Sequence, residues 1–201
     1  MMIIGVTGGI GSGKSVVSEI FRLHGIPVFD ADKEAKNLND TSPYIKEQIT
    51  FHFGEGFYKD GKLDREKFAS IIFQDKDKTT LANSIIHPEL AKHFIEWCGQ
   101  RASYQFVVID AALLIEAGFH RFTDKVVMVS APSEIRIGRV MKRDETIRRR
   151  VEERMNKQLP EEEKIKYADF IIYNDNRHSL IRQTDDFLSS ISLPFVKKTN
   201  K

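Results

Sequence analysis

The chain is short of most of the features that mark out protein classes. Among its 201 residues there is a single cysteine, Cys98. No intramolecular disulfide can form, and no cysteine-based zinc site is expected. The expectation is a reducing compartment, the cytoplasm, with Cys98 a core or interface thiol. No apolar run approaches ~20 residues, so no membrane span is expected. The first residues, MMIIG, carry no basic region ahead of an apolar stretch and predict no secretory leader. There is little excess of either charge: Lys+Arg is 31 against Asp+Glu 29, a formal +2. That balance argues against a generic nucleic-acid coat or a polybasic membrane anchor. Internal repeats and low-complexity segments are missing too. With 41% hydrophobic and 30% charged residues, the composition excludes disordered, collagenous and repeat classes. The length suits one domain with room for an insertion, able to bury ~70% of its unfolded surface.

What is present is a series of short apolar runs. Residues 2–7 (MIIGVT), 26–29, 106–109 (FVVI), 126–129 (VVMV) and 170–173 (FIIY) are too short for helices and do not alternate. They read as strands buried on both faces. Between the first two, residues 15–23 place Val16, Val17, Ile20, Phe21 and Leu23 at helical spacing, closed by His24-Gly25. Strand, helix, strand favours a parallel crossover. Residues 33–100 read as mostly helical, interrupted by a turn at 58–62 (YKDGK). They form the candidate inserted subdomain, with 1–32 and 101–201 as the core. Residues 131–158 read as a charged helix and 177–191 as the last one. The tail 197–201 (KKTNK) is polar and is expected to fray.

The first strand runs into Gly8-Gly9-Ile10-Gly11-Ser12-Gly13-Lys14-Ser15, which fits G-x-x-x-x-G-K-[ST] at every fixed position. A phosphate chain needs several converging backbone N–H groups. Glycines let the loop curl so that these point inward, and the following helix adds its positive end. Residues Gly9 to Val16 then form the nucleotide cradle. Lys14 offers charge to the terminal phosphates and the Ser15 hydroxyl is placed for Mg²⁺. The motif implies a nucleoside triphosphate and Mg²⁺; it does not specify the reaction.

Carboxylates follow two of the strands. Asp30 and Asp32 lie past the second, where ligands gather in open parallel sheets. Either could accept a proton from an attacking hydroxyl, or either could simply cap the helix starting near Ala31. Asp110 ends the third strand as a Mg²⁺-associated carboxylate does, with a helix cap as the plainer alternative. Glu116 follows six residues later. Between residues 136 and 154 there are eight basic and four acidic side chains. Arg136, Arg139 and Arg143 share one helix face, as do Arg150 and Arg154. Such a stripe suits a lid closing over phosphates. It also suits a solvated helix with ion pairs such as Arg149 with Glu153.

Taken in order, the segments resemble the dephospho-coenzyme A kinase family over residues 4 to about 188. The resemblance rests on Gly5 to Ser15, Asp30-Ala31-Asp32, Phe53-Gly54, Asp60-Gly61-Lys62-Leu63-Asp64-Arg65 and Ile86-His87-Pro88. It continues through Asp110, Leu113-Leu114-Ile115-Glu116, Arg139, Arg143, Gln158, Ala168-Asp169 and Asn174. It implies an α/β, three-layer P-loop nucleoside triphosphate hydrolase fold with a five-stranded parallel sheet. A helical CoA-binding insertion at 33–100 and a lid about 139–160 would complete it. The implied reaction moves the ATP γ-phosphoryl group to the ribose 3′-hydroxyl of dephospho-CoA, with Mg²⁺. On this resemblance Asp32 is the base, Lys14 and Arg139 meet the transferring phosphates, and Ser15 and Asp110 serve the metal. Asn174 lies near adenine, while Arg65 and His87 serve the acceptor. Departures are Val16 for a usual Thr, Ala112 for a common Pro, and Arg136 for a usual Gln. By itself, His87-Pro88 reads as a helix break. The expected form is a monomer, with an oligomer as the alternative, and neither nucleic acid nor membrane is an expected partner. Competing readings are another small P-loop kinase, or a GTPase. The Asn-Lys pair Asn156-Lys157, followed by Gln158-Leu159, lacks the guanine-reading pattern.

Overall fold

In a computed structural model, residues 1–72 and 74–192 are described; the tail expected to fray, 197–201, lies outside them. The five apolar runs all become strands: β1 (Met2–Thr7), β2 (Val28–Asp30), β5 (Phe106–Asp110), β6 (Lys125–Ser130) and β7 (Phe170–Tyr173). They form one sheet in the order β2-β5-β1-β6-β7, every pairing parallel. Such a sheet needs cover on both sides, and the missing alternation reflects this. On one face Val6, Val108, Val127 and Ile172 pack against Val17 and Phe21 of α1 (Lys14–Leu23) and Phe187 of α9 (Leu180–Ile191). On the other, Val107, Ile109 and Val126 pack against Phe29, Leu90, Phe94, Leu114 and Phe119. Cys98 is buried in this second layer. Three layers result, as expected.

The helical segment holds α2 (Ala31–Thr41), α3 (Pro43–Phe53), α4 (Arg65–Ile72) and α5 (Lys76–Gly99). The expected turn is the tip of a small antiparallel hairpin, β3 (Tyr58–Lys59) and β4 (Lys62–Leu63). Ile45, Ile49, Phe57, Leu63, Phe68, Ala82 and Ile85 make a core of their own there. The segment is nonetheless tied to the sheet, because α5 contributes Ala82 and Ile85 to its own core and Leu90 and Phe94 to the sheet core. At 24 residues, α5 is ~36 Å long. It runs straight through Pro88, so the helix break expected at His87-Pro88 does not occur. Packing into two cores offsets the hydrogen bond that proline cannot donate.

Three boundaries differ from the sequence reading. The charged stretch is two helices, α6 (Ser133–Asp144) and α7 (Arg148–Met155), split by Glu145 with φ 47°. A non-glycine residue in the left-handed region gives no compositional stop signal. A short α8 (Glu161–Ile165) follows. The last helix starts at Leu180 rather than Arg177. The Asp175 carboxylate accepts the N–H groups of Arg177 and His178, and Ser179 caps the helix through the Arg182 N–H.

Candidate active site

The loop between β1 and α1 curls tightly, with the Ser12 N–H donating to the Gly9 carbonyl at 3.0 Å. Gly13 occupies the N-cap of α1 at φ 92°, with no side-chain cap and no acid in the first turn. The first N–H groups of α1 are thus left for an anion. Only glycine fits at residue 13: a Cβ there would sit 2.0 Å from Asn174 Nδ2. Gly9 answers a different need, because a Cβ would sit 2.3 Å from an Arg136 nitrogen. Ser15 is exposed at the start of α1, while the buried Ser12 hydroxyl has no hydrogen-bond partner.

The carboxylates separate by role. Asp30 is the helix cap: its side chain accepts the Lys33 N–H at 2.9 Å. Asp32, in the first turn of α2, is left to face the phosphate loop. Water reaches its side chain, yet protein fills most of its surroundings. Burial raises its pKa, Lys14 lowers it, Asp110 and Asp30 raise it, and the Ala112 N–H lowers it, in that order of size. Asp110 caps no helix. It is 4% exposed and binds the Lys14 ammonium and the Ser18 hydroxyl, the latter at 2.6 Å. Asp30 and Asp110 are register partners in β2 and β5, so adjacent strand ends bring Asp32, Asp110 and Lys14 together. Ser18 was not singled out in the sequence, although its i+4 spacing from Lys14 puts both on one face of α1.

The arginine stripe divides. Arg143 pairs with Asp144, Arg148 with Glu134 and Glu152, Arg149 with Glu153 and Arg154 with Asp144, all solvated ion pairs. Arg136 and Arg139 instead turn to the phosphate loop. Arg136, 8% exposed, donates to the Ile10 carbonyl at 3.1 Å and to Glu161 at 2.9 Å. Glu161 also accepts the Ser130 hydroxyl. Arg139 donates to Asn174 Oδ1 at 3.1 Å and Asn176 Oδ1 at 3.0 Å, while Asn174 Nδ2 donates to the Ser12 carbonyl at 2.8 Å. Asn174 therefore bridges the loop and Arg139. Ile10 is held from another side, its N–H donating to Gln158 at 2.8 Å. Val151 of α7 packs with Ile137 and Val140 of α6, and Ile10 and Met155 border them.

Arg65 and His87 lie on the helical segment, away from the loop. Arg65 donates to the Lys36 carbonyl and to Asp40, fastening α4 to α2. His87 sits edge-on to Phe119 with ring centroids 6.1 Å apart, and burial lowers its pKa. Among the described residues no cluster of three or more His, Cys, Asp or Glu side chains could hold a metal. The oxygen donors near the loop, Ser15 and Asp110, suit a cation that takes its remaining ligands from phosphates and water, as Mg²⁺ does. No helix of the described residues is long and apolar enough to cross a membrane.

A parallel α/β sheet, a glycine loop opening onto a helix N-terminus, and a lysine–carboxylate pair at adjacent strand ends define a P-loop kinase. A solved shikimate kinase from Acinetobacter baumannii shares the fold, with a TM-score of 0.54 at 16% identity, covering 95% of this chain and 93% of that one. The chain belongs to the dephospho-CoA kinase family, whose model matches residues 2–179. A Bacteroides fragilis dephospho-CoA kinase is 38% identical over 180 residues, 90% of this chain and 88% of the relative. One from Porphyromonas gingivalis is 40% identical over 192 residues, 95% of each. Among solved structures, dephospho-CoA kinase from Campylobacter jejuni has a TM-score of 0.69 at 26% identity, covering 94% of this chain and 96% of that one. A Thermus thermophilus structure reaches 0.84 at 32%, covering 96% and 98%.

Proposed function

We propose the following division of labour for the family's reaction, the ATP-dependent phosphorylation of dephospho-CoA in coenzyme A synthesis. The observation that carries it is the meeting of Asp32, Lys14 and Asp110 at adjacent strand ends beside the open N-terminus of α1. The loop from Gly9 to Val16 cradles the ATP phosphates with those of its N–H groups that the protein leaves open. Lys14 leaves Asp110 for the β- and γ-phosphates as the nucleotide enters. Arg139, already aimed at the loop by Asn174 and Asn176, meets charge that develops on the transferring group. Asn174 borders the adenine.

Asp32 accepts the proton of the ribose 3′-hydroxyl. Its carboxyl is free of the capping duty that Asp30 performs, and the nearby Lys14 ammonium favours its charged form against the burial that opposes it. Ser15 and Asp110 would hold Mg²⁺, which supplies charge neutralisation to the phosphates. The segment 33–100 holds the acceptor, with Arg65 toward its phosphates and His87 neutral along its path. Helices α6 and α7, joined at the non-glycine turn of Glu145, form the lid that excludes water. A cytoplasmic monomer is part of the same proposal.

The test is an acceptor panel with ATP and Mg²⁺. Turnover with dephospho-CoA, giving a product heavier by one phosphate, and none with shikimate or AMP, is the expected result. Turnover on another acceptor with none on dephospho-CoA would reject the proposal.

A further inference from the structure

Ser18 is fully buried in the middle of α1, a place ordinarily taken by an apolar side chain. Its neighbours on that helix, Val17 and Phe21, pack against the sheet as such residues do. A serine or threonine inside a helix commonly turns its hydroxyl to the carbonyl one turn back. Thr184 on α9 does so, donating to the Leu180 carbonyl at 2.9 Å. Ser18 instead donates to Asp110 Oδ2 at 2.6 Å, across 92 residues of chain. A buried hydroxyl aimed at one distant carboxylate calls for a reason beyond packing.

The two oxygens of Asp110 are divided between successive turns of α1. Oδ1 binds the Lys14 ammonium and Oδ2 the Ser18 hydroxyl. The last torsion of an aspartate is broad and close to two-fold, so a single donor does not fix the carboxylate plane. Donors on separate oxygens do. The two donors are nonetheless unequal. Lys14 reaches Asp110 on a flexible stem and can leave for the phosphates of a nucleotide. The Ser18 hydroxyl, one carbon away from a helical backbone, cannot follow. Asp110 is 4% exposed, so Ser18 is the donor that stays on a carboxylate with little water to replace the ammonium. A short hydrogen bond to a charged acceptor is of the strong kind, and dry surroundings strengthen it further.

We propose that Ser18 is a positioning residue for phosphoryl transfer: its hydroxyl holds Asp110 Oδ2, so that Oδ1 stays turned toward the phosphate loop while Lys14 moves to the nucleotide. The inference rests on the reading of Asp110 as the carboxylate that serves Mg²⁺. Without the hydroxyl the carboxylate turns among several orientations once Lys14 has gone. The advantage that Mg²⁺ confers on ATP binding then shrinks.

The experiment compares the full chain with Ser18→Ala, Ser18→Cys, Asp110→Asn and Thr184→Ala. Calorimetry gives the dissociation constant of ATP with excess Mg²⁺ and again with EDTA, and their ratio is the gain due to the cation. Melting temperature and kcat with dephospho-CoA are measured alongside. Thr184→Ala deletes a buried hydroxyl bonded within its own helix; it should melt lower and keep the wild-type gain. Ser18→Ala should cut the gain at least about fivefold, with affinity in EDTA within about twofold of wild type, and should lower kcat. A merely structural serine would behave as Thr184 does, with a lower melting temperature and an unchanged gain, and that result overturns the inference. Equal loss of the gain in Thr184→Ala and Ser18→Ala would overturn it too. If Ser18→Ala does not fold, Ser18→Cys decides, since a thiol is of similar size and only a weak donor. A wild-type gain there overturns the inference, and a reduced gain supports it. A wild-type gain in Asp110→Asn would remove the reading of Asp110 itself. Loss of the gain in Asp110→Asn with a wild-type gain in Ser18→Ala would sink the Ser18 inference alone.

Discussion

Replacing Arg136 by Gln puts a number on how firmly the phosphate loop is held from behind. Arg136 makes two contacts that one glutamine cannot reproduce: Nε to the Ile10 carbonyl at 3.1 Å and Nη1 to Glu161 at 2.9 Å. Its side chain is 10% exposed and that of Glu161 25%. Removing one partner of a fully buried pair costs about 3–5 kcal/mol. Glu161 keeps the Ser130 hydroxyl and some water, and the new amide replaces one of the two bonds. The working figure is therefore about 2 kcal/mol, within the range for hydrogen bonds to charged groups. For a chain of this size that is a fall of about 4–8 °C in melting temperature. The loop also loses a tether at Ile10, so KM for ATP should rise severalfold while kcat changes less. Arg149→Gln is the control. Arg149 is 86% exposed in its pair with Glu153, and its loss should cost under about 0.5 kcal/mol. Arg136→Gln/Glu161→Gln should regain about half the loss, because the stranded carboxylate is gone. Scanning calorimetry and ATP titration of the four proteins decide the matter. Equal melting of Arg136→Gln and Arg149→Gln would refute the reasoning.

Other expectations follow from the same geometry. Burial raises the Asp32 pKa above its usual 3.8, and only the ionised form can take a proton. Turnover should fall as pH drops through that raised value, and Asp32→Asn should lose about 10²–10⁴ of kcat while still binding ATP; undiminished turnover in that variant would return Asp32 to a structural role. Gly13→Ala combines a left-handed backbone with a Cβ 2.0 Å from Asn174 Nδ2. About 1–2 kcal/mol of backbone cost and the loss of the Asn174–Ser12 bond should raise KM for ATP tenfold or more, and an unchanged KM would count against the cradle as drawn. Burial pushes the Cys98 thiol up to about 11. At pH 8 about one molecule in a thousand carries the thiolate, so a disulfide reagent should label native protein far more slowly than urea-unfolded protein. Equal labelling rates would mean that the α5 core opens freely.

Much of the fold was legible from local chemistry. The five strands needed only short apolar runs without alternation, because burial on both faces of a parallel sheet removes the usual period of two. The phosphate loop was legible because its glycines, lysine and serine are adjacent in the chain, and the physics of phosphate binding acts over that same short span. Helix stops at glycine were readable; the stop at Glu145 was not, since its left-handed turn uses an ordinary residue. Pro88 misled for the opposite reason. A local penalty was outweighed by two cores that grip α5 on either side of it.

The undecided carboxylates and arginines mark where local chemistry ends. Asp30 and Asp32 are equivalent as letters, and only the direction of α2 makes one a cap and turns the other to Lys14. Eight basic residues between 136 and 154 look alike in the chain. Packing of α6 against the phosphate loop sends Arg136 and Arg139 inward and leaves Arg143, Arg148, Arg149 and Arg154 in surface pairs. The sequence by itself determined the strands, the loop and the class of ligand, since each is encoded within a few neighbouring residues. Tertiary structure alone decided which charges act together, since Lys14 reaches Asp110 and Arg136 reaches Ile10 across 96 and 126 residues. No pattern along the chain encodes where a side chain is desolvated, and desolvation is what makes those charges matter.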